Sequence, residues 1–509
     1  MEYPDNIDAA VLKVAGVVVL GAIMSILDIT VVNVALPVFQ RVFADNPASP
    51  LDYSAVAWTV TAYTLALATV IPLTGWAADR FGTKRLYILA IILFTAGSAL
   101  CAAATSLNML IGFRVLQGLG GGMLMPLGMT IMTRAAGPAR MGRLMAILGV
   151  PMLLGPIFGP ILGGWLIDIA SWHWIFLINV PLGIIAAIYA FLVLPKDHTE
   201  PTESLDVLGV VLMSPGLALF LFGVSSIPEK GTMNAPKVYV NMAIGLALML
   251  TFVWHSFRPK HPLLDLRLFR NRNLTVSIIT MFIFAAAFFG GLLLVPTYYQ
   301  QVRGESTLSA GWLVAPQGLG AMLTMPIAGT LVDKIPVGRI VPFGLIGIVA
   351  GMFGMTQIEA DTSKWTITIL LFIMGLGMGG TMMPIFTTAL KTLTHHEVAR
   401  GSTLLNITQQ IASSIGVAVM SVVLTNNLKD SPIALPAIAS RQDPSLVDKL
   451  GGPEGVARGL VDAAQAFAGS FWVAAVLVAL TLIPASFLPR RREVSHLLDE
   501  EGVPPVVVH

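Results

Sequence analysis

The chain is a succession of long apolar runs, each of the length needed to cross a bilayer, about 20 residues. Fourteen such runs can be read along it, at 12–37, 54–77, 86–105, 107–132, 143–167, 174–194, 206–226, 238–257, 274–299, 308–332, 340–358, 365–390, 400–425 and 466–488. Runs this long and this continuously apolar predict helices that satisfy their own backbone polar groups. They do not fit the short alternating strands of a transmembrane barrel. The fold class expected is therefore an all-α polytopic membrane protein.

Composition agrees and narrows the function classes. Only 11% of the 509 residues are charged, against about a quarter in soluble domains. An ordinary soluble enzyme, a nucleic-acid binder and a disordered protein are excluded on that ground. A formal net charge of +2 gives no sign of a polyanionic partner. The single cysteine, Cys101, rules out an internal disulfide and a cysteine-built zinc site. The polar, acidic start MEYPDNIDAAVLK lacks the basic opening of a secretory signal.

Loop charge sets the expected orientation. With the N-terminus inside, the cytoplasmic segments hold twenty Lys and Arg and the outer segments nine. Both termini are then cytoplasmic, as an even number of spans requires.

The chain also repeats itself. GWAADRFGTKR (75–85) and GTLVDKIPVGR (329–339) align at an offset of 254 residues. Gly75 matches Gly329, Asp79 matches Asp333, Arg80 matches Lys334, and Arg85 matches Arg339. Two six-helix halves follow, 12–194 and 274–488, with two extra helices inserted at 206–257. The expected organisation is an N-terminal six-helix bundle (1–194), an insertion with its linkers (195–273), a C-terminal six-helix bundle (274–488) and a cytoplasmic tail (489–509). Parallel six-helix repeats build one group of secondary transporters.

Further motifs carry a family resemblance: LDITVVNVALP (27–37), RVLQGLGGG (114–122), GVPMLLGPIFGPILGGWL (149–166), WHWIFLINVPLG (172–183) and PLLDLRLFRNRN (262–273). With the 75–85 loop, these resemble the major facilitator superfamily, specifically its 14-helix drug:proton antiporter branch. The likeness runs over roughly residues 12–488. It departs at His173, where members of that branch usually carry Arg. It implies two six-helix bundles plus two central helices, and proton-coupled export of apolar or amphipathic compounds. The expected setting is a multi-pass chain acting as a monomer in the inner (plasma) membrane, with substrates, protons and membrane lipids as partners. No cofactor, metal or nucleic acid is implied.

Ionisable residues inside a membrane helix are costly and point to function. Two sit well inside the runs, Asp28 and Arg114. Asp28 lies nine residues before the outer end of its run and Arg114 seven after the outer start of its own. These are similar depths, about 13 and 10 Å, so the two can pair if they face each other. Asp28 is the candidate proton carrier and Arg114 its tuning partner. The alternative is a fixed ion pair that only locks packing.

In the first basic loop, Gly75, Asp79, Arg80 and Arg85 are expected to form a conformational latch, with Asp333 and Lys334 a degraded second copy. Gly155, Pro156, Gly159 and Pro160 predict a bendable, closely packed seam between the halves. Polar candidates for a substrate cavity are Asn33, Trp58, Tyr63, Gln117, Tyr298, Gln300, Asn406, Gln409 and Gln410. One buried acid and one buried base make that cavity nearly neutral, which favours neutral or amphipathic substrates over dications. No Walker motif and no soluble domain speak for an ATP-driven pump, and adjacent His395 and His396 make a poor catalytic pair. Movement of lipids or other endogenous apolar molecules by the same fold is the second reading.

Overall fold

The computed structural model describes residues 8–44, 51, 53–136, 140–196, 204–227, 234–394, 397–441 and 444–491. Among them the regular structure is entirely helical. The N-terminal half is α1 (Ala9–Val42), α2 (Tyr53–Phe81), α3 (Thr83–Ala102), α4 (Leu107–Ala136), α5 (Met141–Ile169), α6 (Trp174–Leu177) and α7 (Asn179–Val193). The insertion is α8 (Val207–Ser225) and α9 (Pro236–Ser256). The C-terminal half is α10 (Arg272–Gln301), α11 (Thr307–Lys334), α12 (Val337–Met355), α13 (Lys364–Gly379), α14 (Met382–Lys391), α15 (Glu397–Lys429), α16 (Ala434–Ala439), α17 (Ser445–Lys449) and α18 (Pro453–Ala485).

Twelve helical stretches among the described residues are long and apolar enough to cross a membrane. The sequence runs 143–167 and 308–332 fall on α5 and α11, of 29 and 28 residues. The run 365–390 is not one helix. It breaks at Gly380 and Thr381, between α13 and α14. The segment 426–465 is not simply a loop: α15 continues to Lys429, α18 begins at Pro453, and two short helices lie between. Helices α15 and α18 have 33 residues each. At 1.5 Å per residue that is about 50 Å, against a hydrocarbon core of about 30 Å, so both project beyond it.

Short polar side chains start several of these helices by accepting from backbone amides that have no partner inside the helix. Asp8 accepts from Val11 N at 2.8 Å, and Ser306 accepts from Ser309 N at 3.1 Å. Asp206 does more. It accepts from Gly209 N (2.8 Å), contacts His255 Nε2 at the far end of α9 (2.8 Å), and accepts from Leu263 N (3.3 Å). One carboxylate thus ties both ends of the inserted hairpin together. Asp206→Ala should cost about 1 kcal/mol for the cap alone. The expected result is a lower unfolding temperature and faster hydrogen exchange confined to 207–256. An unchanged exchange pattern there would rule out this tie.

The hairpin does not stand apart. Helix α8 packs on α9, on α2 of one half and on α15 of the other. Val224, Ile227 and Val238 bury a small apolar cluster with Ala418 of α15.

Candidate functional site

Arg114 and Gln117 sit one turn apart on α4, so both reach the same side of that helix. Arg114 Nη1 donates to Asp28 Oδ2 of α1 at 2.5 Å and to Gln117 Oε1 at 2.7 Å. Its Nε donates to the carbonyl of Thr59 on α2 at 3.0 Å. Gln117 Nε2 donates to Asp28 Oδ1 (2.7 Å) and to Ser98 Oγ of α3 (2.8 Å). Asn179, the first residue of α7, donates to Ser98 Oγ (3.0 Å) and approaches Asp28 Oδ1 at 3.4 Å. The Cys101 thiol donates to Gln117 Oε1 at 3.6 Å. Asp28 is 1% exposed and Arg114 fully buried.

Groups from five helices are therefore joined in one network around this carboxylate, those of α4 and α7 bonding to it directly. Gly97 permits this, because a Cβ there would lie 2.7 Å from the backbone of Gln117. The guanidinium carbon lies 4.1 Å from the centre of the Tyr63 ring and 5.8 Å from that of Phe176. Arg114 Nη2 is buried with no hydrogen-bond partner among the described residues. A buried charge pair of this kind is costly to split: removing one member leaves the other uncompensated, at about 3–5 kcal/mol.

Asp28 and Arg114, expected to be able to pair, do pair, and the cavity candidates Gln117 and Tyr63 join them. Ser98, Asn179, Ser25 and the Thr59 carbonyl were not anticipated. Ser25 joins through Tyr63 OH, at 3.3 Å. Asn179 carried the one usable signal, an amide inside an apolar run. The remaining cavity candidates scatter. Trp58 is 39% exposed and lies against Phe222 of α8, with ring centres 5.4 Å apart. It belongs to the contact with the inserted hairpin, because α8 covers that face of α2. Tyr298 is buried in the C-terminal half and donates to the Glu359 carbonyl at 2.6 Å. Gln300 is exposed, and its carbonyl accepts from Arg441 at 3.1 Å. Asn406 donates to Ser402 O (2.8 Å) and to Met129 Sδ of α4 (3.3 Å), at the junction of the halves. Asn33 is exposed, and Gln409 and Gln410 are half-buried.

The two repeated loops make matching contacts across the halves. Asp79 lies 3.7 Å from Arg134 and 3.6 Å from Arg400 at the start of α15. A Cβ on Gly75 would come within 3.4 Å of the Arg400 Cα and 3.2 Å of Thr403 Oγ1. In the second copy, Asp333 accepts from Gly142 N (2.9 Å) and from Arg143 Nε (3.2 Å) at the start of α5. A Cβ on Gly329 would meet the Gly142 carbonyl at 2.8 Å. The second copy is thus not degraded: it holds the opposite half as the first does. Arg80 is half-buried and Arg85 exposed. Lys84 donates to the carbonyls of Phe191 (2.7 Å) and Leu194 (2.6 Å), closing the end of α7.

At the far end of the N-terminal half, the buried cluster around Phe39, Trp172 and Phe176 contains no residue of the C-terminal half. The halves are locked at the end bearing the repeated loops. The expected seam on α5 divides accordingly. Gly155 and Gly159 pack on Ile26 and Thr30 of α1, inside one half, while Gly142 and Gly149 meet α11 and α14 of the other. Helix α5 thus lies between α1 of its own half and α11 of the other, and packs on both. The side chains of Pro156 and Pro160, and all of His395 and His396, lie outside the described residues.

The model of the Major Facilitator Superfamily matches residues 18–417. The chain is 47% identical to the multidrug resistance protein B homolog of Mycobacterium tuberculosis, over 96% of this chain and 92% of that one. It is 32% identical to the uncharacterized MFS-type transporter YhcA of Bacillus subtilis, over 81% of this chain and 76% of that one. Among solved structures it is similar to the human organic anion transporter MFSD10 (TETRAN), with TM-score 0.61, 15% identity, and coverage of 94% of this chain and 100% of that one. That last likeness concerns the fold alone.

Proposed function

Because this chain belongs to the Major Facilitator Superfamily, we propose that it is a proton-coupled exporter of apolar or amphipathic compounds, working by alternating access. It crosses the inner (plasma) membrane fourteen times as a monomer, with both termini in the cytoplasm. The carrying observation is the buried carboxylate Asp28, bound by Arg114 and Gln117 at a convergence of five helices. Protonation removes the charge that Arg114 compensates, so it must rearrange this network. That gives a proton a means of acting on helix packing rather than only on one side chain. The name of the M. tuberculosis relative supports drugs as the substrate class.

In this reading the cytoplasmic side is shut by two latches, Gly75 with Asp79 and Gly329 with Asp333. Rocking of the halves breaks both and opens the cavity inward. Asn33, Gln409 and Gln410 are the polar groups left for a neutral or amphipathic substrate, and membrane lipids surround the bundle.

The test is transport in proteoliposomes with an imposed pH gradient, using a fluorescent amphipathic drug. Accumulation against its gradient should follow the proton gradient and collapse when a protonophore is added. Uphill accumulation that survives the protonophore would exclude proton coupling.

A further inference from the structure

At the latch end of the C-terminal half, a second feature has no part in this scheme. The first residues of α10 and the segment just after α18 enclose an open cavity of about 400 Å³. Arg272, Asn273, Phe487, Leu488, Arg490 and Arg491 line it. The volume falls within the usual range for small-molecule sites, about 300–1,000 Å³. Three arginines face one space, and none of them makes an ion pair among the described residues.

The wall carrying two of these arginines is held in place. Gly338, at the start of α12, donates its amide to the Pro489 carbonyl at 3.0 Å. A Cβ on Gly338 would lie 2.6 Å from the Leu488 carbonyl, so the strand of chain sits directly on that helix. Arg491 also lines a second, smaller cavity beside Lys391 and Thr388 of α14. Phe487 is 58% exposed at the rim. Three arginines thus line the same cavity as an exposed aromatic ring, at the end of membrane-length helices. That combination offers charge to a phosphate and an apolar surface to an acyl chain.

We propose that this cavity binds the phosphate headgroup of an anionic membrane phospholipid. Guanidinium groups match phosphate oxygens in geometry as well as charge. Basic pockets between helices at the cytoplasmic surface are suited to anionic headgroups. The inference rests on the membrane reading of the chain but not on proton coupling. Its failure would leave the export scheme standing.

The experiment uses the full chain in detergent, with intrinsic tryptophan fluorescence following thermal unfolding. Dioctanoyl-phosphatidylglycerol is titrated in, with dioctanoyl-phosphatidylcholine and inorganic phosphate as separate arms. The anionic lipid should raise the melting temperature in a saturable way that added salt weakens. The zwitterionic lipid and inorganic phosphate should not. Each of Arg272→Gln, Arg490→Gln and Arg491→Gln should weaken the response about fivefold, and the triple variant should lose it. A Lys260→Gln/Arg267→Gln chain, altered on the α9–α10 linker, should respond like the parent. Equal responses to both lipids, or an intact response in the triple variant, would overturn the site. An equal response to inorganic phosphate would overturn the lipid as its source. If the triple variant fails to fold, the three single variants still decide: unchanged affinities in all of them reject the proposal.

Discussion

Asp28→Asn is expected to abolish export against a gradient while leaving binding of a neutral substrate intact. The amide keeps the shape of the side chain and removes the ionisable carboxyl. It also leaves Arg114 buried without its counter-charge, at a cost of about 3–5 kcal/mol. Loss of transport alone would therefore confuse a coupling defect with a folding defect. The double variant Asp28→Asn/Arg114→Gln separates them, because the buried site is then neutral throughout. It should recover most of the lost thermal stability and none of the uphill transport. If the double variant transports uphill with the parent's pH dependence, the pair serves packing only and proton coupling lies elsewhere.

The second large effect is expected at the latches. Asp79 and Asp333 each hold the opposite half at the same end of the molecule. A hydrogen bond to a charged group contributes about 1.5–3 kcal/mol and a neutral one about 0.5–1.5, so replacing either carboxylate by an amide should cost about 1–2 kcal/mol. Each single Asp→Asn change should shift the closed-to-open ratio by about five- to thirtyfold. The sites are formed by different helices, so the double change should multiply the two shifts. Spin labels at Phe81→Cys and Glu397→Cys would read the separation of the halves, since Cys101 is fully buried and does not compete for label. The long-distance population should grow in each single variant and dominate in the double. Unchanged distances combined with weakened substrate binding would place Asp79 in the binding site instead.

The contrast between what the residues foretold and what they did not has physical roots. Asp28 and Arg114 could be matched from the sequence because a buried charge in a membrane helix must find a partner, and helical rise fixes depth. Ser98 and Ser25 carry no such compulsion. A serine can bond to its own helix backbone and leaves no trace of a distant partner. Asn179 was as visible as Gln117 in principle, yet no rule of spacing ties α7 to α1. Trp58 misled because its face is set by the inserted hairpin, and sequence does not say which flank an insertion covers. Asp333 was undervalued for a related reason. Its loop keeps the glycine, the carboxylate and two of the first copy's three basic positions, with Gly338 in place of Lys84, and the glycine and carboxylate suffice for the contact.

The placement of the inserted hairpin also bears on how a lipid-soluble compound would reach the interior. A transporter made of two rocking halves has two side walls where those halves meet, one at α2 and α15 and one at α5 and α11. Helix α8 leans on both α2 and α15, and its C-terminal end packs against α15 through Val224, Ile227 and Ala418. One wall is shuttered; the other has no comparable cover among the described helices. A compound dissolved in the bilayer would then have a single doorway, between α5 and α11. A photoreactive apolar probe loaded into the lipid should mark those two helices and spare α2 and α15, and equal marking of both pairs would refute a one-sided entrance.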